Sequence, residues 1–220
     1  MNAENSNIIL DIENLSCGYG GKPVIEDFNL QLIAGEVVAI IGPNGCGKST
    51  LLKAIYQLCL INKGSITYKE ESLIGKTPEK IKNMGIAYFM QRNAIFPNLS
   101  VKENLFLSLN GMSKQHKKMK AEEITASFPD IGMWLQKSAG LLSGGQRQQL
   151  ALAMLLAQDS NLWLLDEPTA GLDAEKSELF ISKIQEFLRK NEENTKTIIF
   201  VEHKTLVINK LAKRIINLKS

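Results

Sequence analysis

The chain has 220 residues, of which 44% are hydrophobic and 22% charged, and its formal net charge is +3. This composition, with a mean hydropathy of −0.08, is that of a globular protein and excludes a disordered or fibrous chain. The basic excess is too small to indicate nucleic-acid binding, so no nucleic-acid partner is expected.

Apolar, β-branched runs predict strands, and several are continuous, as in the buried strands of parallel sheets. In chain order they are Ile8–Ile12, Val24–Ile33, Val37–Ile41, Ile86–Met90, Leu162–Leu165, Ile198–Val201 and Ile215–Leu218. Helical patterns lie between them at Lys48–Leu60, Gln148–Ala157 and Ala174–Lys190. Strands that alternate with helices predict an α/β fold with a mostly parallel sheet.

The middle of the chain, from Arg92 to Gly140, has a helical pattern without strand signals. Ser100 and Glu103 have the spacing of a capping box, which predicts a helix start. The basic stretch Lys114–Lys120 is interpreted as a solvated, flexible loop, although it could also face anionic headgroups or a partner. The expected parts of a single domain are core residues 1–91, a helical subdomain at 92–140 and the remaining core at 141–220.

A phosphate-binding loop of the pattern G-x-x-x-x-G-K-[S/T] lies between a predicted strand and a predicted helix, the context that the motif requires. Its glycines let backbone N–H groups point inward, and the helix N-terminus adds to the attraction for phosphate. Lys48 brings charge to the β- and γ-phosphates, and Ser49 offers a hydroxyl to Mg²⁺. The expected nucleotide-binding residues are Gly42, Pro43, Asn44, Gly45, Cys46, Gly47, Lys48, Ser49 and Thr50.

Two acids, Asp166 and Glu167, follow the apolar run Leu162–Leu165. Parallel sheets place their sites at the carboxyl ends of strands, so Asp166 is expected to hold Mg²⁺, largely through water. Glu167 is expected to polarise the attacking water as a catalytic base. Two acids could also simply cap a strand, and it is the phosphate loop in the same chain that favours the catalytic interpretation.

The segment Leu142–Gln146 resembles the signature of ATP-binding-cassette (ABC) ATPases, and other motifs of that family match in order over nearly the whole chain. The resemblance implies a P-loop NTPase fold with an N-terminal antiparallel β part, a helical insert, and ATP hydrolysis with Mg²⁺. It implies that Tyr19 stacks on adenine and that Gln91 and His203 sense the γ-phosphate and the metal. Taken singly, each of these residues also has an ordinary structural explanation.

In the resembled family the signature closes on the γ-phosphate that is held by a partner copy. ATP would therefore be sandwiched at a two-fold interface, in a homodimer or a heterodimer with another ABC ATPase. Hydrolysis would loosen this dimer, and Asp173 would link its two sites. The expected contacts from the signature are Ser143, Gly144, Gly145 and Gln146.

Most cassettes of this type resemble transporter subunits, which implies separate integral membrane subunits as partners and a position on the inner face of the cell membrane. A groove for a short helix of the membrane subunit would be lined by Phe89–Phe96, Leu99 and Val101, with ordinary core packing as the alternative. The segments most like ATPase subunits of branched-chain amino acid importers are Ala94–Val101, Phe128-Pro129, Ala139–Ser143 and Val201–His203.

The cellular compartment is indicated by absences in the sequence. The cysteines, Cys17, Cys46 and Cys59, have no disulfide-framework spacing, which is typical of a reducing compartment. The N-terminal residues lack the basic and apolar regions of a signal peptide. The longest apolar run, Leu150–Ala157, is far shorter than the roughly 18 residues of a membrane span. A cytoplasmic chain that does not itself cross a membrane is expected.

Two other functions stay open at this point. A soluble ABC ATPase could act on a macromolecular partner in cofactor assembly, repair or translation. A nucleotide switch or scaffold without turnover is a third interpretation. The single cassette, without a coiled-coil insert or a strongly basic face, argues against an ATPase that acts on a macromolecular partner. The presence of both Glu167 and His203 argues against a switch or scaffold without turnover.

Overall fold

The computed structural model describes residues 7–90, 95–190 and 196–218. The strands are β1 (Ile8–Gly18), β2 (Ile25–Ile33), β3 (Val37–Ile41), β4 (Leu60–Tyr68), β5 (Glu71–Ser72), β6 (Ile86–Phe89), β7 (Leu162–Asp166), β8 (Thr197–Val201) and β9 (Arg214–Asn217). The helices are α1 (Lys48–Ile55), α2 (Pro78–Asn83), α3 (Val101–Ser108), α4 (Lys114–Ser127), α5 (Pro129–Trp134), α6 (Gly144–Leu156), α7 (Ala174–Lys190) and α8 (Thr205–Leu211).

Contacts divide the chain into two compact units. The first comprises Met1–Tyr88, Ser160–Asp166 and Asn191–Ser220, and the second comprises Phe89–Asp159 and Glu167–Lys190. The subdomain boundaries expected from the sequence, at 92 and 140, stay a prediction.

The first unit contains both sheets. One has the order β2-β1-β4-β5 with antiparallel pairing, and the other has the order β6-β7-β8-β3-β9. In the second sheet β3 pairs in parallel with β8 and β9, and β7 pairs in parallel with β8. All residues of β7 and β8 are buried, which is why their sequences are continuous apolar runs. The predicted α/β class and the antiparallel N-terminal part are therefore confirmed.

The second unit contains the helices α3 to α7. The predicted capping box opens α3, where the Glu103 N–H donates to Ser100 Oγ over 3.2 Å and the Ser100 N–H donates to Glu103 Oε2 over 2.7 Å. Each donor would otherwise lack an intrahelical partner, so the box fixes the start of the helix. The helical pattern predicted for the middle of the chain is confirmed for its described residues. No helix of the described ranges combines the length and apolarity that crossing a membrane requires.

The predicted helix Lys48–Leu60 is wrong at its C-terminal end. Helix α1 stops at Ile55, Gln57 has a φ of +55°, and Leu60 begins β4. The apolar residues between Ile55 and Leu60 connect the helix to β4. Neither glycine nor proline marks the end of the helix there. Strands β4 and β5 and helix α2 were not predicted.

The predicted loop at Lys114–Lys120 is also wrong, since these residues form the first half of α4. Ser113 caps the helix by accepting from the His116 N–H over 3.3 Å. Lys120 and His116 both contact Asp159, at 3.4 and 3.3 Å. The sequence of this stretch does not indicate a helix, because Ile124 is the one buried residue of α4. The helix therefore has almost no apolar periodicity.

Candidate nucleotide-binding site

The phosphate loop joins β3 to α1 in the first unit. Lys48 is buried, and its ammonium donates to the carbonyl oxygens of Gly42 and Pro43 over 2.9 and 2.7 Å. The N-cap of α1 is Gly47, which makes no side-chain hydrogen bond to the helix. The first N–H groups of α1 therefore have no side-chain cap, and together with the ammonium they form a positive site that suits an anion.

Two glycines of this loop are required by the local geometry. A Cβ on Gly42 would lie 2.5 Å from the Leu218 carbonyl oxygen and 2.8 Å from Cys46 Sγ. Gly47 has a φ of +99°, and a Cβ there would lie 3.0 Å from Ile25 Cγ1. Either substitution would push the loop away from the strands that hold it, so the packing of the loop depends on both positions.

Ser49 and Asp166 meet where the loop faces the end of β7. Ser49 Oγ donates to Asp166 Oδ1 over 2.7 Å, and the Tyr88 hydroxyl donates to Asp166 Oδ2 over 3.2 Å. Asp166 is buried, and these two hydroxyl donors satisfy its two oxygens. Burial and the charge of Asp166 raise the pKa of Tyr88 well above its usual value, so its hydroxyl stays a donor. Tyr88 was missed by the sequence analysis, because an aromatic residue within a short strand carries no functional signal.

His203 lies at the same carboxyl-terminal end of the parallel strands as Asp166. It follows β8, which lies between β7 and β3 in the strand order. The backbone N–H groups of His203 and Lys204 donate to Glu202 Oε1 over 2.9 and 3.3 Å. Glu202 is buried while the His203 side chain is exposed, so an anchored acid fixes the backbone from which the histidine projects.

Tyr19 follows β1, and the residue is 57% exposed. Lys53 Nζ, from the last turn of α1, lies 5.5 Å from the centre of that ring. The interaction of an ammonium with a ring face holds the tyrosine in place while its other face stays accessible. Lys53 was missed by the sequence analysis, because its spacing from Tyr19 along the chain gives no sign of the contact.

Glu167 belongs to the second unit and follows the last residue of β7. Its φ is +46°, a value that residues other than glycine seldom adopt. Its carbonyl accepts from the Ala170 N–H over 3.0 Å, which closes the turn that leads towards α7. Such strained positions are concentrated at functional sites, and the role of Glu167 stays a prediction.

The signature residues form the N-terminus of α6 in the second unit. The Gln146 N–H donates to Ser143 Oγ over 3.3 Å, and the Ser143 N–H donates to Gln146 Oε1 over 2.9 Å, which is a second capping box. Ser143 and Gly144 are exposed, and a Cβ on Gly144 would meet nothing within 4 Å. This box was not predicted, although the S-x-x-Q spacing of Ser143 and Gln146 could have revealed it.

The remaining expected residues are described only in part. Asp173 caps α7, because its Oδ1 accepts from the Lys176 N–H over 2.8 Å; its hydrogen bonds with the Lys176 side chain and N–H lower its pKa. Gln91 lies outside the described residues, as do positions 92–94 of the expected groove. Within that groove Phe89 and Val101 are buried and Phe96 is exposed.

Residues 25–170 of the chain match the family model described as ABC transporter. The chain belongs to this family. The chain is 34% identical over 188 residues to the probable branched-chain amino acid transport ATP-binding protein LivF of Archaeoglobus fulgidus. The aligned region covers 86% of this chain and 78% of that protein. It is also 34% identical over 214 residues to the carnitine transport ATP-binding protein OpuCA of Listeria monocytogenes, covering 96% of the chain. The chain spans about half the length of that second relative, 53%.

The fold is also similar to solved ABC structures. One is a dimeric ATP-binding cassette in a post-hydrolysis state bound to ADP and Pi, with a TM-score of 0.81, 27% identity, and coverage of 96% of this chain and 94% of that one. The P-loop fold of the ABC chain is thereby confirmed. Membership of the family also confirms the expected class of function, an ATP-binding and ATP-hydrolysing subunit of a transporter.

Proposed function

We propose that this ABC chain binds ATP with Mg²⁺ at its phosphate loop and pairs with a second cassette to drive separate membrane subunits. The observation that carries the proposal is the 2.7 Å hydrogen bond between Ser49 Oγ and Asp166 Oδ1. It places the hydroxyl of the phosphate loop and the acid that ends β7 at one point in the unit that contains the loop. That arrangement is the one in which a P-loop serine and a strand-end aspartate share a cation.

The side chains present fit Mg²⁺. The ion prefers hard oxygen ligands and keeps several waters, and a hydroxyl and a carboxylate together supply such ligands. Bound Mg²⁺ would neutralise charge on the nucleotide phosphates. Within this chain, Ser49 would offer its oxygen lone pairs, Asp166 its charge, and Tyr88 would hold the carboxylate in orientation through its 3.2 Å hydrogen bond.

The nucleotide itself would be bound from two sides. The Lys48 ammonium exchanges its two loop carbonyls for phosphate oxygens, which offer stronger, charge-assisted hydrogen bonds. The loop residues other than Pro43, which has no backbone N–H, contribute N–H groups, as does Thr50 in the first turn of α1. The exposed face of Tyr19 stacks on the adenine, with Lys53 supporting the ring.

Hydrolysis would require a base and a sensor of the γ-phosphate. Glu167 is the proposed base, and it is an acid in a strained backbone conformation directly after Asp166. His203 is the proposed γ-phosphate sensor. Its exposed position directly after β8, at the carboxyl-terminal end of the same parallel strands, supports this role. Gln91 is proposed as the second sensor on the basis of the sequence motif.

The second cassette is proposed to bring its signature to this site. Ser143 Oγ accepts a hydrogen bond within the capping box, but its O–H can still donate to a phosphate oxygen. The exposed backbone at Gly144, the half-buried Gly145 and the N-terminus of α6 would add further donors. Asp173 would act across the same interface. The partner is a second copy or a similar ABC ATPase.

The membrane partners and the location complete the proposal. The relatives from A. fulgidus and L. monocytogenes are named as transport ATP-binding proteins, and a role in import at the inner face of the membrane is proposed for this chain by similarity. The cargo path would lie in the separate membrane subunits. A branched-chain amino acid importer is the proposed type, on the resemblance to the A. fulgidus protein.

Purification of the tagged chain from detergent-solubilised membranes of its own cell tests this proposal. The expected result is a complex of two cassettes with polytopic membrane proteins whose ATPase activity needs Mg²⁺. Recovery of soluble partners alone would contradict the transport role and favour the macromolecular alternative.

A further inference from the structure

Two of the three cysteines, all in the first unit, lie side by side near the proposed adenine site. Cys17 is near the end of β1, and Cys59 directly precedes β4. In the antiparallel pairing, Cys17 lies opposite Ile61. Cys59 lies two residues before Ile61, so it is the diagonal neighbour of Cys17 in this pairing, and both cysteines pack in the same apolar core. A side-chain hydrogen bond between the two thiols contributes to the pKa of each.

The two cysteines have different environments. Cys17 is fully buried, whereas Cys59 is partly exposed, and its thiol donates to the Thr50 carbonyl over 3.8 Å. The hydrogen bond from Cys17 lowers the pKa of Cys59, as does the positive charge of Lys53, while burial opposes them. The same hydrogen bond and burial raise the pKa of Cys17. An accessible thiol with stabilised thiolate character beside a buried thiol is the arrangement of an attacking and a resolving cysteine.

We propose that Cys17 and Cys59 form a redox-active thiol pair, which hydrogen peroxide oxidises to an intramolecular disulfide that weakens nucleotide binding. The Cys59 thiolate attacks one peroxide oxygen; its O–O bond breaks, and the second oxygen leaves as water after protonation. The resulting sulfenic acid is attacked by the Cys17 sulfur, which forms the S–S bond, breaks the S–O bond and releases a second water. In total, two thiols lose two electrons and two protons, and one peroxide becomes two waters.

The geometry at the strand ends permits this bond. A disulfide brings two sulfurs to about 2.0 Å, so the thiols must move closer than a hydrogen bond requires. The β1–β4 pairing has register shifts between Glu13 and Ser16 and between Ser16 and Cys17. The ladder is therefore interrupted just before Cys17, so that bringing the thiols together requires a movement of only the short paired end of β1, Cys17 and Gly18.

The disulfide is coupled to the nucleotide through Tyr19 and Lys53. Tyr19 is two residues beyond Cys17, so a displacement of the end of β1 moves the ring. Lys53 lies 5.5 Å from the centre of the Tyr19 ring and also acts on Cys59, and oxidation removes the thiolate character that attracts it. This effect rests on the proposed function, because it assumes that Tyr19 stacks on adenine.

Counting free thiols tests the bond itself. The reduced protein is treated with hydrogen peroxide, denatured, alkylated with N-ethylmaleimide and weighed by intact mass spectrometry. The wild type is expected to fall from three alkylated cysteines to one, with Cys17 and Cys59 recovered in one cross-linked peptide. Cys59→Ser should keep its two remaining thiols free, and Cys46→Ser should still lose two. A bond to Cys46, a covalent dimer on a non-reducing gel, or three free thiols after oxidation would overturn the proposal.

Binding of a fluorescent ATP analogue tests the consequence. Oxidation of the wild type should weaken binding about tenfold or more, the size expected for loss of one stacked ring, and dithiothreitol should restore it. Cys59→Ser should bind alike with and without peroxide. Equal affinity of the reduced protein and the mapped disulfide form would overturn the coupling. If the reduced protein bound no nucleotide, the proposed function would fail, while the mapped disulfide would still stand by itself.

Discussion

Ser49 Oγ lies 2.7 Å from Asp166 Oδ1, although 117 residues separate the two in the chain. The contact exists because the phosphate loop follows β3 and Asp166 ends β7, and both strands run in parallel with β8 between them. Their carboxyl ends therefore lie along one edge of the sheet. Both carboxylate oxygens of the buried Asp166 are therefore held by hydroxyl donors, from Ser49 and Tyr88.

Asp166→Asn should make ATP binding largely insensitive to Mg²⁺. The amide keeps the shape of the side chain but loses the negative charge that a hard cation requires, so the Mg²⁺-dependent part of the affinity should fall about 10- to 100-fold. Titration of a fluorescent ATP analogue with and without Mg²⁺ measures it. Asp27→Asn, at an exposed acid paired with Lys63, is the control and should not change the affinity. Unchanged Mg²⁺ dependence in Asp166→Asn would remove Asp166 from the metal site.

Lys48→Ala should abolish tight ATP binding. Its ammonium donates two hydrogen bonds to loop carbonyls, and charge-assisted bonds to phosphate would replace them, so the loss should be roughly 100-fold. Isothermal titration calorimetry measures the affinity, and the melting temperature reports whether the loop still folds. Lys63→Ala, at an exposed lysine of the same unit, should bind ATP normally. Normal affinity in Lys48→Ala would contradict the assignment of the loop.

Glu167→Gln should bind ATP but hydrolyse it about 10²–10⁴-fold more slowly, since the amide cannot polarise the attacking water. The variant should accumulate as an ATP-bound dimer on size-exclusion chromatography. Glutamine has the same shape and can keep the backbone φ of +46°, so the melting temperature should not change. Glu175→Gln, in the first turn of α7, is the matched control and should turn over at the wild-type rate. A Glu167→Gln rate near that of the wild type would exclude the base role.

The parts of the fold that sequence predicts best are those with a local physical signal. The bounds of α7 agree with its predicted range, because apolar residues recur on one face, and Ser100 marks the start of α3 because its cap is local. The end of α1 was mispredicted because the apolar residues beyond Ile55 continue without a breaker. Helix α4 was missed because tertiary contacts such as Lys120 to Asp159 stabilise it without apolar periodicity.

In the site, sequence motifs identify the residues expected to bind the nucleotide, but not the residues that hold them in position. Lys48, Ser49 and Asp166 were predicted because each belongs to a motif with fixed spacing. Tyr88 and Lys53 were not, since each acts through a neighbour that is distant in sequence: one orients Asp166 and the other lies against the Tyr19 ring. Contacts of this kind depend on strand order and register, which a single sequence does not contain.

Ser143→Asp separates the role of the signature serine in its own helix from its proposed role towards a partner. Aspartate is a good N-cap, so it can still accept the Gln146 N–H and keep α6 stable. Its charge would repel the γ-phosphate that the partner holds, so ATP should still bind to the monomer, but the dimer should not form. Analytical ultracentrifugation in the Glu167→Gln background measures this. Ser100→Ala is the matched control: it removes the equivalent cap from α3, should lower stability by about 1 kcal/mol, and should leave dimer formation intact. An ATP-driven dimer in Ser143→Asp would contradict the proposed sandwich.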